Sequence, residues 1–185
     1  MSTAHPDDPT AGARSAFVIA VLVGLMVAVG LGTYGAVHEP GKVAINVAGF
    51  SSFLAVKAWL GTLALVLAIV QLVTALKIYG KLSGGGPVMN VLHRWSGRAA
   101  VAASLPVAAH CLYIAGFMAT DARVLLHSIA GCFFYGVFAV KMLALSDDNS
   151  PGWALPVAGG AAFTALTVLW ATSSLWFFAT FGVTF

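Results

Sequence analysis

The chain alternates long apolar stretches with short polar breaks. The apolar stretches number five, at about Ala16–Val37, Ser52–Tyr79, Val91–Ala119, Arg123–Leu145 and Trp153–Phe181. A helix needs roughly 20 residues to cross the hydrocarbon core of a bilayer, so each stretch is long enough. None shows the strict apolar–polar alternation of a membrane β-strand. The pattern therefore predicts an all-α, polytopic membrane bundle of five transmembrane helices.

The first segment, "MSTAHPDDPTAGARS", is polar and carries few apolar side chains. This composition is typical of disorder. We therefore expect a disordered tail over residues 1–15 and a single transmembrane domain over residues 16–185.

Basic residues indicate the orientation. One side of the predicted bundle carries Arg14, Lys77, Lys81, Arg94, Arg98 and Lys141, and the other side carries Lys42, Lys57 and Arg123. Cytoplasmic loops carry an excess of Lys and Arg. The N-terminus is therefore predicted to be cytoplasmic.

Composition supports the membrane class. Hydrophobic residues make up 60% of the chain, charged residues make up 8%, and the mean hydropathy is +0.95. A soluble domain carries about 25% charged residues, so this chain could not cover a water-facing surface. The 9 basic residues mostly flank apolar runs, which explains the net charge of +3 without nucleic-acid binding.

Two histidines lie in apolar surroundings on either side of a short polar turn. His110 and His127 are separated by "ATDAR", and the turn is expected at Ala119–Asp121. If the third and fourth spans pack against each other as a hairpin, both imidazoles lie roughly 10 Å below the outer interface, at 1.5 Å per residue. Equal depth is a necessary condition for a shared ligand.

Haem b fits this pair best, because its iron takes two axial imidazoles and its macrocycle is apolar. A zinc site would require about four ligands. The sequence thus predicts one haem, with His110 and His127 as axial ligands of the iron. Around it we expect a pocket of Gly131, Phe134 and Tyr113, with Arg123 and Lys57 as partners of the propionates. Two alternatives stay open: histidines that only hydrogen-bond between helices, and another metal or a proton relay.

The sequence around the remaining histidines indicates a role less clearly. His93 and Trp95 open the third span, and His38 ends the first. They are candidate residues for quinone binding or for anchoring at the interface. A second haem is not expected, because His93 has no partner histidine at its depth. Cys111 and Cys132 lie within apolar runs and are expected to be free thiols.

Three stretches, "LHRWSGR", "AHCLY" and "HSIAGCFFYG", together resemble the cytochrome b561 and ferric-reductase-like transmembrane group. The likeness covers about residues 88–145, and the chain is most similar to an uncharacterised family of small multi-pass membrane proteins of high-GC Gram-positive bacteria. The resemblance implies haem b ligation and electron transfer, with His110 and His127 matching as axial ligands. His93 matches a ligand of that group, but its partner histidine is missing here.

The expected function is electron transfer in the bacterial cytoplasmic membrane. One bis-histidine, low-spin haem in the outer leaflet would exchange electrons with quinol or with an outer-side redox partner, and the chain could be a subunit of a larger membrane oxidoreductase. Membrane lipid is an expected partner and nucleic acid is not. The rival functions are a structural or assembly subunit without haem and a small transporter with a histidine proton relay.

Overall fold

A computed structural model describes residues 9–41 and 49–185; residues 1–8 of the expected tail and Lys42 lie outside the described part of the chain. The helices are α1 (Pro9–Val37), α2 (Phe53–Ile78), α3 (Pro87–His110), α4 (Ala122–Ser146), α5 (Ala154–Trp170) and α6 (Trp176–Phe181). A π-helical turn, Cys111–Ala115, extends α3, and a second one, Ala171–Leu175, joins α5 to α6. Counted with these extensions, 5 helices are long and apolar enough to cross a membrane. The predicted all-α bundle is confirmed.

Local sequence explains where several helices begin and end. The Ser52 hydroxyl accepts a hydrogen bond from the Ala55 N–H at 3.2 Å, and an Asp121 carboxylate oxygen accepts one from the Val124 N–H at 3.0 Å. Such caps satisfy N–H groups that the first turn leaves free. Gly116 ends the third span with a φ of 73°, a left-handed conformation that favours glycine.

The N-terminal boundary differs from the prediction. Helix α1 begins at Pro9, inside the segment that we expected to be a disordered tail. Proline is tolerated in the first turn because its missing N–H has no helical partner there. The helix thus includes residues 9–15 of the segment that we expected to be a tail.

The helix partners also differ from the expected hairpin. Helix α3 packs along α2, whereas α4 packs between α1 and α5. In the described part of the chain, α3 and α4 share no extensive backbone contact. The third span therefore makes its main contact with the second rather than the fourth, and a cavity lies between the third and the fourth.

Contacts at the two ends of the bundle show which helix ends and connections lie on the same side. At one end the rings of Phe17 and Trp153 meet edge to face, with centroids 4.9 Å apart. At the other end the Ser51 N–H donates to the Phe185 carbonyl at 2.7 Å. The start of α1 and the α4–α5 connection thus lie on one side, and the start of α2 and the end of the chain lie on the other.

Candidate functional site

A partly open cavity of about 270 Å³ lies between α3 and α4, with further walls from α1, α2 and α5. Its volume is just below the roughly 300–1,000 Å³ of pockets that hold drug-sized ligands. Small residues widen it, among them Ala58, Gly61, Ala64, Ala108 and Gly131. The lining is mostly apolar, so its few polar groups decide what it can bind.

His127 supplies an imidazole to this cavity. Its ring is half-buried, and its Nδ1 lies 3.0 Å from the Thr172 hydroxyl oxygen. Thr172 is buried and belongs to the π-helical turn that follows α5. The site therefore holds an imidazole whose orientation is set by a neighbouring helix.

Two cationic side chains line the same cavity, Lys57 from α2 and Arg123 from α4. An Arg123 Nη1 hydrogen bond reaches the Thr172 carbonyl at 2.8 Å, and its guanidinium lies 4.2 Å from the centroid of the Trp176 ring. The Lys57 Nζ lies 5.4 Å from the centroid of the Phe53 ring. Among the described residues, no Asp or Glu lines the cavity. Positive charge in an apolar cavity without a counter-charge favours an anionic ligand group.

His110 is close to the cavity without lining it. Its chain neighbours Val107 and Cys111 contribute to the wall, but its ring packs against Phe53, with centroids 5.0 Å apart. Because α3 packs on α2, the His110 ring meets Phe53 of α2, whereas the His127 ring meets Thr172. That both histidines bind one iron stays a prediction.

The other predicted pocket residues divide into two groups. Gly131 and Phe134 line the cavity. Tyr113 does not: it is 56% exposed, and its ring lies 4.9 Å from the His38 ring. Contrary to the expectation, Tyr113 does not line this cavity, because it lies at the end of the third span that meets the 116–121 connection, beside the end of α1.

The candidates for quinone binding or anchoring lie outside the cavity. The His93 Nδ1 is 2.9 Å from the Thr74 hydroxyl oxygen, between α3 and α2. Trp95 is 61% exposed, and the Arg98 guanidinium lies 5.1 Å from its ring centroid. The His38 Nε2 lies 3.2 Å from the Tyr113 carbonyl oxygen. A quinone role for these residues stays a prediction.

Sequence reasoning missed Thr172 and the shared position of the two cysteines. Cys111 and Cys132 are free thiols, as expected, and both line the cavity. A signal for Thr172 was available in "ATSS", a polar run inside the last apolar stretch. Polar side chains within hydrocarbon need partners, so such a run indicates contacts with another helix.

A bare metal ion requires several protein side chains that lie close together. Among the described residues, no three or more His, Cys, Asp or Glu side chains cluster closely enough to hold one. A cofactor that brings its own equatorial ligands needs fewer protein groups, so this observation concerns ions alone.

Comparison with known proteins adds family membership. A family model described as a family of unknown function (DUF6529) matches residues 17–185. The chain belongs to this family. No curated protein and no solved structure matches it. The residues that line the cavity all lie within the matched part of the chain.

Proposed function

We propose that this DUF6529 protein is a membrane-embedded electron-transfer protein that binds one haem b in the cavity between α3 and α4. One observation carries the proposal: an apolar cavity combines the His127 imidazole with two cations that have no acidic partner among its lining residues. Haem b needs this combination, because its iron binds imidazole, its ring is apolar and its two propionates are anionic.

The chain's residues would divide the work as follows. His127 would bind the iron through a ring nitrogen, and Lys57 and Arg123 would hold the propionates. Gly131 and Phe134 would line the macrocycle. His110 would supply the second nitrogen after its ring leaves Phe53 and turns toward the neighbouring wall of Val107 and Cys111. Held by two imidazoles, the haem would carry electrons and leave no position for substrate.

The cavity's place in the bundle suggests the electron partner. It lies toward the ends of α3 and α4 that meet at the connection 116–121, which the distribution of basic residues predicts to be outside. A quinol in the outer leaflet or an outer-side redox protein would therefore exchange electrons with it. We infer a bacterial cytoplasmic membrane as the location and a larger oxidoreductase complex as a natural setting.

The first test is an absorption spectrum of the protein purified in detergent from cells supplied with haem. The wild-type protein should show a sharp α-band on reduction. His127→Ala should lose this band, because it removes the imidazole that lines the cavity. His110→Ala should convert a low-spin spectrum to a high-spin one, because one axial position opens. His38→Ala is the matched control and should leave the spectrum unchanged, since its ring packs on Tyr34 and Tyr113 outside the cavity.

Absence of an α-band in the wild-type protein, both as purified and after titration with haem, would contradict the proposal. The His127–Thr172 hydrogen bond would then favour the rival role of helix packing. A band that survives loss of both His110 and His127 would also contradict it and would direct attention to His93.

A further inference from the structure

The direction of the hydrogen bond between Thr172 and His127 depends on which atom receives the Thr172 hydroxyl hydrogen. The Thr172 hydroxyl donates to the Val168 carbonyl at 2.8 Å, the backbone oxygen four residues earlier. A hydroxyl has a single hydrogen. With that hydrogen committed to the backbone, the Thr172 oxygen can only accept from the His127 Nδ1, which lies 3.0 Å away.

Both backbone carbonyls near the Thr172 hydroxyl support the same direction. The Leu169 carbonyl lies 3.2 Å from the Thr172 hydroxyl oxygen, beside the Val168 carbonyl at 2.8 Å. A carbonyl oxygen accepts and never donates, so the hydroxyl hydrogen serves either of them. In both cases the Thr172 oxygen is left to accept from His127, which favours hydrogen on Nδ1.

We propose that Thr172 is a positioning residue for His127: it holds the Nδ1–H tautomer and so leaves the Nε2 lone pair free to bind. The consequence for iron rests on the proposed function; the tautomer does not. A ligating imidazole commonly donates its other N–H to an acceptor that sets its orientation and raises its basicity. Here the acceptor comes from a helix other than the one that carries the histidine.

Thr172 also holds the neighbouring cation. Its carbonyl accepts the 2.8 Å hydrogen bond from Arg123, while its side chain holds His127. Arg123 and His127 are four residues apart on α4, so they lie on one face of that helix. One residue of α5's π-helical extension therefore aligns both the imidazole and the guanidinium that line the cavity.

The same arrangement occurs a second time. The Thr74 hydroxyl donates to the Val70 carbonyl at 2.7 Å, four residues earlier, and its oxygen lies 2.9 Å from the His93 Nδ1. The Gln71 carbonyl, three residues before Thr74, lies 3.1 Å from the same hydroxyl oxygen and is a second acceptor for it. Thr74 lies on α2 and His93 on α3, away from the cavity, so this pair offers a matched control.

The first experiment determines the tautomer of His127 in the absence of haem. Haem-free protein with ¹⁵N-labelled histidine is studied by nuclear magnetic resonance, and His127 is assigned by its disappearance in His127→Gln. We expect the Nδ1–H tautomer in the wild-type protein and in Thr172→Ser, which keeps the hydroxyl. Thr172→Val, which removes the hydroxyl at nearly equal volume, should lose this preference, and Thr74→Val should leave His127 unchanged. An Nε2–H tautomer for His127 in the wild-type protein would overturn the proposal.

The second experiment reads the consequence in the haem-bound protein. Thr172→Val should weaken haem binding about 10- to 100-fold, the usual range for loss of such a partner. It should also shift the reduction potential, because the imidazole becomes a weaker donor. Thr172→Ser should restore both properties, and Thr74→Val should change neither. Equal loss in Thr172→Ser and Thr172→Val would overturn the positioning role.

The two experiments separate the proposals. If the wild-type protein binds no haem but shows the Nδ1–H tautomer, the electron-transfer function is contradicted and the positioning role of Thr172 is supported. If it binds haem but shows the Nε2–H tautomer, the electron-transfer function is supported and the positioning role is contradicted. If Thr172→Val does not fold, the wild-type tautomer and the Thr172→Ser spectrum still decide.

Discussion

Several polar side chains inside the bundle are hydrogen-bonded to a neighbouring helix, among them Ser104 and Tyr135. The Ser104 hydroxyl donates to the Val101 carbonyl at 2.8 Å, and its oxygen lies 3.0 Å from the Tyr135 hydroxyl. We infer that Tyr135 donates to Ser104. This hydrogen bond links α3 to α4, which share no extensive backbone contact in the described part of the chain.

That direction predicts unequal costs for removing the two partners. Tyr135→Phe removes a donor and leaves Ser104 with its backbone partner, so we expect a loss of about 0.6 kcal/mol in unfolding free energy. Ser104→Ala leaves the Tyr135 hydroxyl without an acceptor, so we expect about 1–3 kcal/mol. Unfolding in mixed micelles, followed by helical circular dichroism, measures both. A larger loss in Tyr135→Phe would show that the assigned direction is wrong.

At the level of single residues, spacing along one helix predicts which side chains share a face. Arg123, His127 and Gly131 are spaced by four along α4, so they share a face, and all three line the cavity. Tyr113 and His110 do not line it. Their positions depend on how α3 is rotated against α2 and on the end of α1, which spacing along α3 cannot reveal.

Among whole elements, the contact between α1 and α4 depends on glycine. A Cβ at Gly136 would lie 2.6 Å from the Gly24 carbonyl oxygen and 2.9 Å from the Ala28 Cβ. Small residues allow membrane helices to approach closely. The close approach of these backbones, rather than side-chain interdigitation, therefore defines this contact.

Gly136→Ala should push α1 away from α4. Overpacking lowers the unfolding free energy by about 1–3 kcal/mol. Here the atom in the way belongs to the backbone of α1, which has no alternative rotamer. The thermal midpoint in detergent should fall clearly, whereas Gly160→Ala should change it little, because a Cβ there meets nothing within 4 Å. Equal midpoints for the two variants would show that the bundle adjusts without strain.

Element boundaries followed the sequence closely. The second span was expected at Ser52–Tyr79 and occupies Phe53–Ile78, with Ser52 as its cap. The third was expected to reach Ala119 but ends earlier, because the Gly116 N–H closes a wider turn on the Cys111 carbonyl at 2.8 Å. Apolar composition alone does not mark such a turn, since apolar residues continue past it.

For the whole molecule, the distribution of basic residues predicts a testable orientation. We expect the 116–121 connection outside and the α4–α5 connection inside. In a background with Cys111 and Cys132 replaced by alanine, a membrane-impermeant thiol reagent should label Ala119→Cys in intact cells. It should label Asn149→Cys only after permeabilisation. Both positions are exposed in the structure, so burial does not confuse the result. The reverse pattern would invert the proposed outer location of the cavity.

The sequence by itself determined the class of protein, its five spans and the residue types available for chemistry. These follow from local quantities: the length of each apolar stretch against the bilayer thickness, and the spacing of residues along one helix. The tertiary structure alone decided that α3 packs on α2, that His110 meets Phe53 and that Thr172 reaches His127. Such contacts join residues far apart in the chain, and they depend on how each helix is rotated about its axis, which its own composition does not specify.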